Sequence, residues 1–371
     1  MSGSPTGAPI AALAARSVEV ILENQAETGA YVASPSLPAY RFSWFRDGAF
    51  IADAMSRAGE RGSAEEFFGW CSAIVSGRRG RIEELVRRHR AGEPIDRSEH
   101  LHCRYTVDGH EFEGKWANYQ LDGYGLWLWS LGAHAERSGA NLAPYAEAAA
   151  ESVRYLAEFW AEPCYDWWEE RWGLHTATLA SVYAGLAAAT AWEELPLAVR
   201  DEAASAASAV IDAVGSKALT CDRLSAEVGD SRLDASILAC ATPLRLVSPD
   251  DPRLAATVRD LEAEIAHVGV HRYPGDTYYG GGEWLLLAAL LGWWYEEVGR
   301  EDDAWAQLEW VAAQASPSGD LPEQVATHVF DEGALARWER RLGPSASPLL
   351  WSHAMFLILA LELGLDPPAA A

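Results

Sequence analysis

Apolar and polar residues follow one another along this chain with the three- and four-residue spacing of amphipathic helices. The pattern predicts about twelve helices, at residues 10–25, 47–59, 63–76, 118–138, 143–161, 175–193, 197–214, 232–241, 252–266, 282–298, 301–315 and 349–363. Shorter helical patterns occur near residues 85 and 335. Strand patterns, in which β-branched residues alternate with polar ones between turns, are nearly absent. The sequence therefore predicts an all-α protein.

The helical pattern also predicts a single domain. No long linker rich in Pro, Gly or Ser interrupts residues 10–366, and the composition does not change along them. Residues 1–9 and the Pro-Pro-Ala-Ala-Ala tail at 367–371 are expected to be flexible ends.

The linkers between the predicted helices alternate between plain and chemically rich. The rich ones combine aromatic with charged residues and are Tyr40–Asp47, Lys115–Asp122, Tyr165–Glu170, Arg272–Tyr279 and Leu321–Gln324. If the helices form pairs in a ring, alternate linkers lie on the same rim. Their aromatic and acidic side chains would then converge on one pocket.

The charge and the cysteines exclude several classes of protein. The chain has 29 Lys and Arg against 54 Asp and Glu, a formal net charge of −25, so its surface repels nucleic acid. No segment reaches the roughly 18 apolar residues that cross a bilayer, so no membrane span is expected. The five cysteines are widely spaced and form no CxxC pair, which indicates neither a disulfide framework nor a zinc site. A reducing cytoplasm is the expected location.

Three of the rich linkers contain candidate catalytic or binding groups. In Trp167–Glu170, aromatic rings beside two carboxyls favour a protonated general acid, although the run also fits a solvated helix N-terminus. Glu323 follows Pro322 and is either a base aimed into a pocket or a surface residue. Arg46 and Asp47, flanked by aromatic residues, fit a sugar-binding pair or a buried ion pair that starts a helix.

Five of these segments resemble, in order, the motifs of the glucoamylase-type inverting glycoside hydrolases (glycoside hydrolase family 15). The resemblance covers roughly residues 30–360, and the architecture is most similar to the compact single-domain bacterial members that hydrolyse isomaltose. The matching segments are Tyr40–Asp47, Trp116–Gly123, Trp168–Glu170, Arg272–Gly282 and Glu323–Gln324 with the downstream Trp351–Ala354.

The resemblance implies a fold and a set of site residues. The fold would be a six-fold α/α barrel, a toroid of about twelve helices. Glu169 would be the general acid, Glu323 the general base, and Tyr40 would lie near the catalytic water. The residues expected to bind substrate are Arg46, Asp47, Trp44, Trp116, Gln120, Trp168, Glu170, Arg272 and Trp351. Acid–base chemistry on a glycoside requires no metal or organic cofactor.

The implied activity is that of an exo-acting, inverting α-glucoside hydrolase, which releases β-glucose from the non-reducing end of a small, neutral substrate. No N-terminal β-sandwich or starch-binding module accompanies the matching segments, which favours isomaltose or isomalto-oligosaccharides over malto-oligosaccharides. Two alternatives stay open at this point. One is a trehalase or another disaccharide α-glucosidase on the same barrel, and the other is a catalytically inactive carbohydrate-binding protein. The oligomeric state is not readable from the sequence.

Overall fold

The computed structural model describes residues 7–366 apart from 218, 221 and 222. Over these residues the α-helices are α1 (Gly7–Glu23), α2 (Phe45–Arg57), α3 (Arg61–Ser76), α4 (Arg79–Arg90), α5 (Asp122–Ser138), α6 (Ala146–Phe159), α7 (Thr176–Thr190), α8 (Leu197–Lys217), α9 (Pro252–Glu264), α10 (Leu285–Glu297), α11 (Glu301–Ala313), α12 (Glu332–Leu342) and α13 (Leu350–Glu362). Helices α4 and α12 are the short ones predicted near residues 85 and 335. Residues 1–6 and 367–371, which belong to the predicted flexible ends, lie outside the described residues.

Six elements form a closed inner ring. Helix α2 packs against α5, α5 against α7, and α7 against a short 3₁₀ helix, Ala235–Cys240. That 3₁₀ helix contacts α10, α10 contacts α13, and α13 returns to α2. The outer layer consists of α1, α3, α6, α8, α9 and α11, so inner and outer elements alternate along the chain. The predicted six-fold α/α barrel is confirmed.

The two layers differ in composition because they differ in how many sides are covered. Every residue of Leu285–Tyr295 in α10 and of Leu350–Ala360 in α13 is buried, since neighbours in the ring and an outer helix surround them. In outer helix α11 only Ala304, Leu308 and Val311 are buried, a single stripe at helical spacing. Burial on all sides therefore identifies the inner helices.

Helix α5 begins later than its hydrophobic pattern predicts. The pattern starts at residue 118, but the helix starts at Asp122. The carbonyl groups of Asn118 and Tyr119 accept hydrogen bonds from the backbone N–H groups of Cys103 (2.8 Å) and Tyr165 (3.0 Å). Neighbouring loops thus satisfy backbone groups that the helix would otherwise use.

The segment predicted as a helix at 232–241 forms only the 3₁₀ helix of the inner ring. The side chain of Asp234 accepts from the backbone N–H of Ser236 and starts the helix at that point. Pro243 then follows, and a proline lacks the N–H of a helical residue and disfavours helical geometry at the residue before it. The inner ring therefore contains one position held by a shorter element.

Small antiparallel sheets connect loops that the helical pattern left undefined. They pair β1 (Ser43–Trp44) with β2 (Arg104–Tyr105), β3 (Cys164–Tyr165) with β4 (Trp172–Gly173), β5 (Leu219–Thr220) with β6 (Arg223–Leu224), and β7 (Glu283–Trp284) with β8 (Gln324–Val325). Each strand has two residues, too few for an alternating pattern to be recognised. Strands β1 and β7 lead directly into inner helices α2 and α10.

None of the helices described is both long enough and apolar enough to traverse a bilayer.

Glycines set the closest approach between two inner helices. A Cβ atom on Gly125 of α5 would lie 2.2 Å from the carbonyl oxygen of Ser181 of α7, and one on Gly185 would lie 2.3 Å from the carbonyl oxygen of Gly125. These distances are shorter than van der Waals contact, and both helices are buried there. The crossing therefore requires glycine at both positions.

We expect Gly125→Ala to destabilise the protein by about 1–3 kcal/mol, because the added methyl group forces the two helices apart. The midpoint of thermal unfolding, followed by circular dichroism, measures this. Gly69→Ala is the matched control, since Gly69 is an exposed residue within α3 whose Cβ would meet nothing within 4 Å. The control should match or exceed the stability of the parent. Equal midpoints for Gly125→Ala and the parent would contradict the crossing geometry.

Candidate active site

A cavity of about 490 Å³ lies at the N-terminal ends of the inner helices. All but one of the predicted site residues line it, namely Tyr40, Trp44, Arg46, Asp47, Trp116, Trp168, Glu169, Glu170, Arg272, Glu323 and Trp351. Gln120 is the exception, because its side chain is buried behind the wall and bonded to two residues that line it. The linkers that are rich in aromatic and acidic residues thus meet at one place, as their alternation predicts.

The cavity has a buried end and an open end. Arg46, Asp47 and Trp351 are each less than a tenth exposed and form the buried end. Arg341 and Leu342 are exposed and form the rim on the other side. The cavity therefore extends from buried residues to exposed ones.

Glu169 lies in the loop between β3 and β4, in a left-handed backbone conformation (φ 65°) that is uncommon for a residue with a side chain. Its carboxylate oxygen Oε1 accepts from Trp44 Nε1 at 2.7 Å and from Gln120 Nε2 at 3.0 Å. The Sγ of Cys103 lies 3.6 Å and Nη2 of Arg46 3.8 Å from the same oxygen. All four contacts fall on Oε1, which fixes the orientation of the carboxyl group.

A buried ion pair holds Gln120 and Arg46 in place. Arg46 donates through Nη1 to Gln120 Oε1 at 2.6 Å and to Asp122 Oδ2 at 2.9 Å. Because arginine can only donate, the amide oxygen of Gln120 must face Arg46 and its NH₂ group must face Glu169. Arg46 and Asp122 belong to the first turns of α2 and α5, respectively. At the N-terminal end of α5 the helix dipole stabilises the Asp122 carboxylate.

Asp47, next to Arg46, is buried, and burial raises the pKa of its carboxyl to about 7. Its Oδ2 and the Nε of Arg46 have no hydrogen-bond partner among the described residues. Both residues line the cavity. The Oδ2 and Nε atoms lie 3.7 Å apart, as an ion pair. The carboxyl and guanidinium groups of these residues offer a ligand an acceptor and a donor for its hydroxyl groups.

Glu323 comes just before β8 and is only 2% exposed. Its Oε1 accepts from the hydroxyl of Tyr40 at 2.8 Å, and its Oε2 from the hydroxyl of Ser345 at 3.3 Å. The hydroxyl of Tyr40 also lies 2.8 Å from that of Tyr278. Burial raises the pKa of Glu323 to about 7, although the hydrogen bond from Tyr40 opposes this shift.

Glu170 and Arg272 form an ion pair beside Glu169. Arg272 donates to Glu170 Oε1 at 2.8 Å and to both carboxylate oxygens of Asp276 at 2.7 Å. The hydroxyl of Tyr273 also donates to Glu170. The guanidinium of Arg272 is buried among the rings of Trp168, Tyr278 and Trp284, each 5.2 Å away. This arrangement fixes one side of the cavity.

Aromatic rings make up much of the remaining wall. Trp351 stacks on Phe50 with ring centroids 5.4 Å apart. Trp168 donates through Nε1 to Asp234 Oδ2 at 2.9 Å. The indole nitrogens of four tryptophans that line the cavity have no partner among the described residues, and these are Trp116, Trp167, Trp284 and Trp351. A wall of indole faces is suited to a polyhydroxylated ligand with apolar faces.

Comparison with known proteins identifies the family. The model of "Glycosyl hydrolases family 15" matches residues 12–361. The chain belongs to this family. Isomaltose glucohydrolase of Kribbella flavida is 41% identical over 365 residues, which cover 96% of this chain and 94% of that protein. It follows that the protein is a glycoside hydrolase.

Solved structures agree with this result. A glycosidase of known structure is 39% identical and superposes with a TM-score of 0.95, covering 99% of this chain and all of that one. A variant of a glycosidase with the same identity and score was solved in complex with glucose. A bacterial glucoamylase complexed with acarbose is 19% identical with a TM-score of 0.73, covering 95% of this chain and 56% of that one, and is similar in fold alone.

Several residues of the cavity were not identified from the sequence. Tyr278 is in the Arg272–Tyr279 segment, which pointed to the site but did not distinguish its members. Trp338 and Arg341 come from α12, where an aromatic residue at helical spacing predicts packing only. Trp338 does pack, with its ring 5.0 Å from that of Tyr278, but it also lines the cavity. No signal in the sequence separates these two uses of one ring.

Proposed function

We propose that this glycoside hydrolase is an exo-acting, inverting α-glucosidase that releases β-glucose from the non-reducing end of isomaltose and short isomalto-oligosaccharides. The observation that carries the proposal is the pair of carboxyl groups, Glu169 and Glu323, which line one cavity and have different hydrogen-bond partners. Inverting glycosidases need one carboxyl that donates a proton and one that accepts a proton from water.

In this proposal Glu169 is the general acid. Its Oε1 faces the N–H donors of Trp44 and Gln120, which cannot accept a proton. The acidic proton is therefore on Oε2, and Oε2 donates it to the glycosidic oxygen as the bond to the anomeric carbon breaks.

Glu323 is the general base. In its ionised form it removes a proton from a water molecule, whose oxygen attacks the face of the anomeric carbon opposite the leaving group. The hydroxyl of Tyr40 donates to Glu323 and is the group that orients this water. Attack from the opposite face converts an α-glucoside into β-glucose.

The buried end of the cavity is the proposed site for the terminal glucose. Arg46 and Asp47 supply the donor and acceptor for its hydroxyl groups, and Trp44, Trp116 and Trp351 supply apolar walls. Because the inner end is buried, cleavage occurs one unit from the non-reducing end. Glu170 and Arg272, with Trp168, then lie toward the leaving group.

The similarity to an isomaltose glucohydrolase at 41% identity supports the preference for an α-1,6 linkage. Trehalase is the second candidate, because a trehalase of Mycolicibacterium smegmatis is 27% identical over 267 residues, which cover 66% of this chain and 39% of that protein. The larger coverage and identity favour isomaltose.

The cysteines support a reducing cytoplasm as the proposed location. Cys71, Cys103, Cys164 and Cys240 are buried and free, so the described part of the chain does not depend on disulfides.

Hydrolysis of isomaltose, maltose, nigerose and trehalose, followed by ¹H NMR of the newly released glucose, tests substrate and stereochemistry together. We expect the highest kcat/KM on isomaltose and the β-anomer as the first product, before mutarotation mixes the anomers. Release of α-glucose would contradict inversion. Preference for trehalose would favour the second candidate, and binding without hydrolysis would indicate an inactive carbohydrate-binding protein.

Replacement of each carboxyl group tests the two roles separately. Glu169→Gln is expected to lower kcat on isomaltose by about 10²–10⁴-fold but to retain most activity on α-glucosyl fluoride, because fluoride departs without full protonation. Glu323→Gln should lose activity on both substrates, since each needs an activated water. Release of glucose and of fluoride provides the two readouts. Near-native turnover of isomaltose by Glu323→Gln would refute its assignment as the base.

The pH dependence follows from the burial of Glu323. Its pKa is raised from the ordinary 4.5 to about 7, so the base becomes protonated as the pH falls below that value. We expect kcat/KM on isomaltose to fall by about tenfold per pH unit there. Tyr40→Phe removes a donor that stabilises the ionised form, so the acidic limb of the profile should move to higher pH.

Tyr295→Phe is the control for this profile. Tyr295 donates to Glu262 at 2.7 Å, a contact of the same kind remote from the cavity, and its loss should leave the profile unchanged. An acidic limb centred near the ordinary glutamate pKa of 4.5 in the parent would contradict the prediction.

A further inference from the structure

An arginine that does not touch the cavity lies directly behind its wall. Arg104 belongs to β2 and is 1% exposed. Its partner across the antiparallel pair is Trp44 of β1, and residues paired in this way project on the same face of a sheet. Trp44 lines the cavity whereas Arg104 does not, so the arginine packs against the hidden side of that wall.

The guanidinium of Arg104 is enclosed by aromatic rings. Its central carbon lies over four ring centroids, those of Trp116 at 3.5 Å, Phe42 at 4.3 Å, Trp44 at 4.9 Å and Phe112 at 5.3 Å. Cation–π attraction strengthens when the cation is removed from water, as it is here. These rings thus take the place of a solvent shell around the charge.

The polar contacts of Arg104 are few. Nη1 donates to the carbonyl oxygen of Ala39 at 2.9 Å, and Nε is buried without a partner among the described residues. Within the same part of the chain no carboxylate oxygen lies within 4.0 Å of the guanidinium. Burial accordingly lowers the pKa of Arg104. A buried charge without a counter-ion is costly, so its presence calls for a role that a neutral side chain would not fill.

The contacts of Trp44 suggest that role. The indole ring of Trp44 packs against Arg104, and its Nε1 donates to Glu169 Oε1 at 2.7 Å. Trp116 also contacts both Arg104 and the edge of Trp44, with ring centroids 6.2 Å apart. A shift of Trp44 would move the donor that holds Glu169. The planar guanidinium can stack on several rings at once, which a lysine ammonium cannot do.

We propose that Arg104 is a positioning residue, which clamps Trp44 and Trp116 from behind and thereby holds the general acid Glu169 in the geometry for proton donation. This inference rests on the role of Glu169 given under the proposed function. In this proposal Arg104 itself does not contact the substrate. The expected consequence is selective, because only reactions that need the acid should suffer when Arg104 is replaced.

The test compares kcat on isomaltose with kcat on α-glucosyl fluoride. Arg104→Met keeps an unbranched apolar side chain, although a shorter one, and removes the charge and the planar guanidinium group. It should lower kcat on isomaltose by about tenfold or more, and on the fluoride by less than about threefold, because fluoride needs little help from an acid. Arg104→Lys restores the charge alone and should fall between Arg104→Met and the parent on isomaltose.

Arg300→Met is the matched control. Arg300 lies over the ring of Tyr295 at 4.0 Å, remote from the cavity. This variant therefore removes a cation–π contact, together with ion pairs to Glu262 and Asp303, away from the site. Its kcat should be unchanged on both substrates. An equal loss on both substrates for Arg104→Met would mean a general structural role and would overturn the inference, as would no loss on either.

Glu169→Gln separates failure of this inference from failure of the proposed function. If Glu169→Gln shows the split between the substrates and Arg104→Met does not, only the inference fails. If Glu169→Gln shows no split, the acid assignment fails and the inference fails with it.

A double-mutant cycle decides the matter if Arg104→Met does not fold. Trp44→Phe keeps a ring against Arg104 but removes the N–H donor to Glu169. If Arg104 acts through Trp44, the losses in kcat on isomaltose for Trp44→Phe and Arg104→Lys will not add in the double variant. Additive losses would overturn the inference.

Discussion

Closure of the inner ring is the constraint on which the rest of this structure depends. An inner helix is covered by two ring neighbours and by the outer layer, so it must be apolar on every side, as α10 and α13 are. Charged groups then lie mainly toward the ends of these helices. At the N-terminal ends the helix dipoles favour carboxylates, and Asp47 and Asp122 occupy the first turns of α2 and α5. The barrel thus concentrates its acidic chemistry on one rim.

The two candidate catalytic carboxyls are held by different means, and the difference suits different tasks. Glu169 is oriented by donors gathered on one oxygen, from Trp44 and from a Gln120 that Arg46 in turn orients. Glu323 is enclosed in the protein and receives hydroxyl donors, and burial raises its pKa to about 7. In the proposed mechanism, the first environment fixes a direction for proton transfer, whereas the second sets the pH range in which a proton can be accepted.

Prediction from the sequence was most successful where periodicity or composition reflects the local structural preference of a segment. Most of the helices, the alternation of rich and plain linkers and many of the residues that line the cavity could be anticipated. It was least successful where distant segments compete for the same backbone groups. The late start of α5, where Asn118 and Tyr119 bond to other loops, has no local signal. Gln120 was expected to line the cavity, but the contacts that turn it toward Arg46 and Glu169 come from other segments.

By itself, the sequence determined the all-α class and the candidate carboxyls, because these depend on residue type and on spacing along the chain, and its five motifs indicated the family. Only the tertiary structure decided which side chains meet. Trp338 is indistinguishable from a packing residue until α12 is folded over Tyr278. Nothing in the sequence around Arg104 indicates that it packs against aromatic rings. These rings come from the segment before β1 (Phe42) and from the connection between β2 and α5 (Phe112 and Trp116). These contacts depend on how loops and helices fold over one another, so no helical or strand periodicity can contain them.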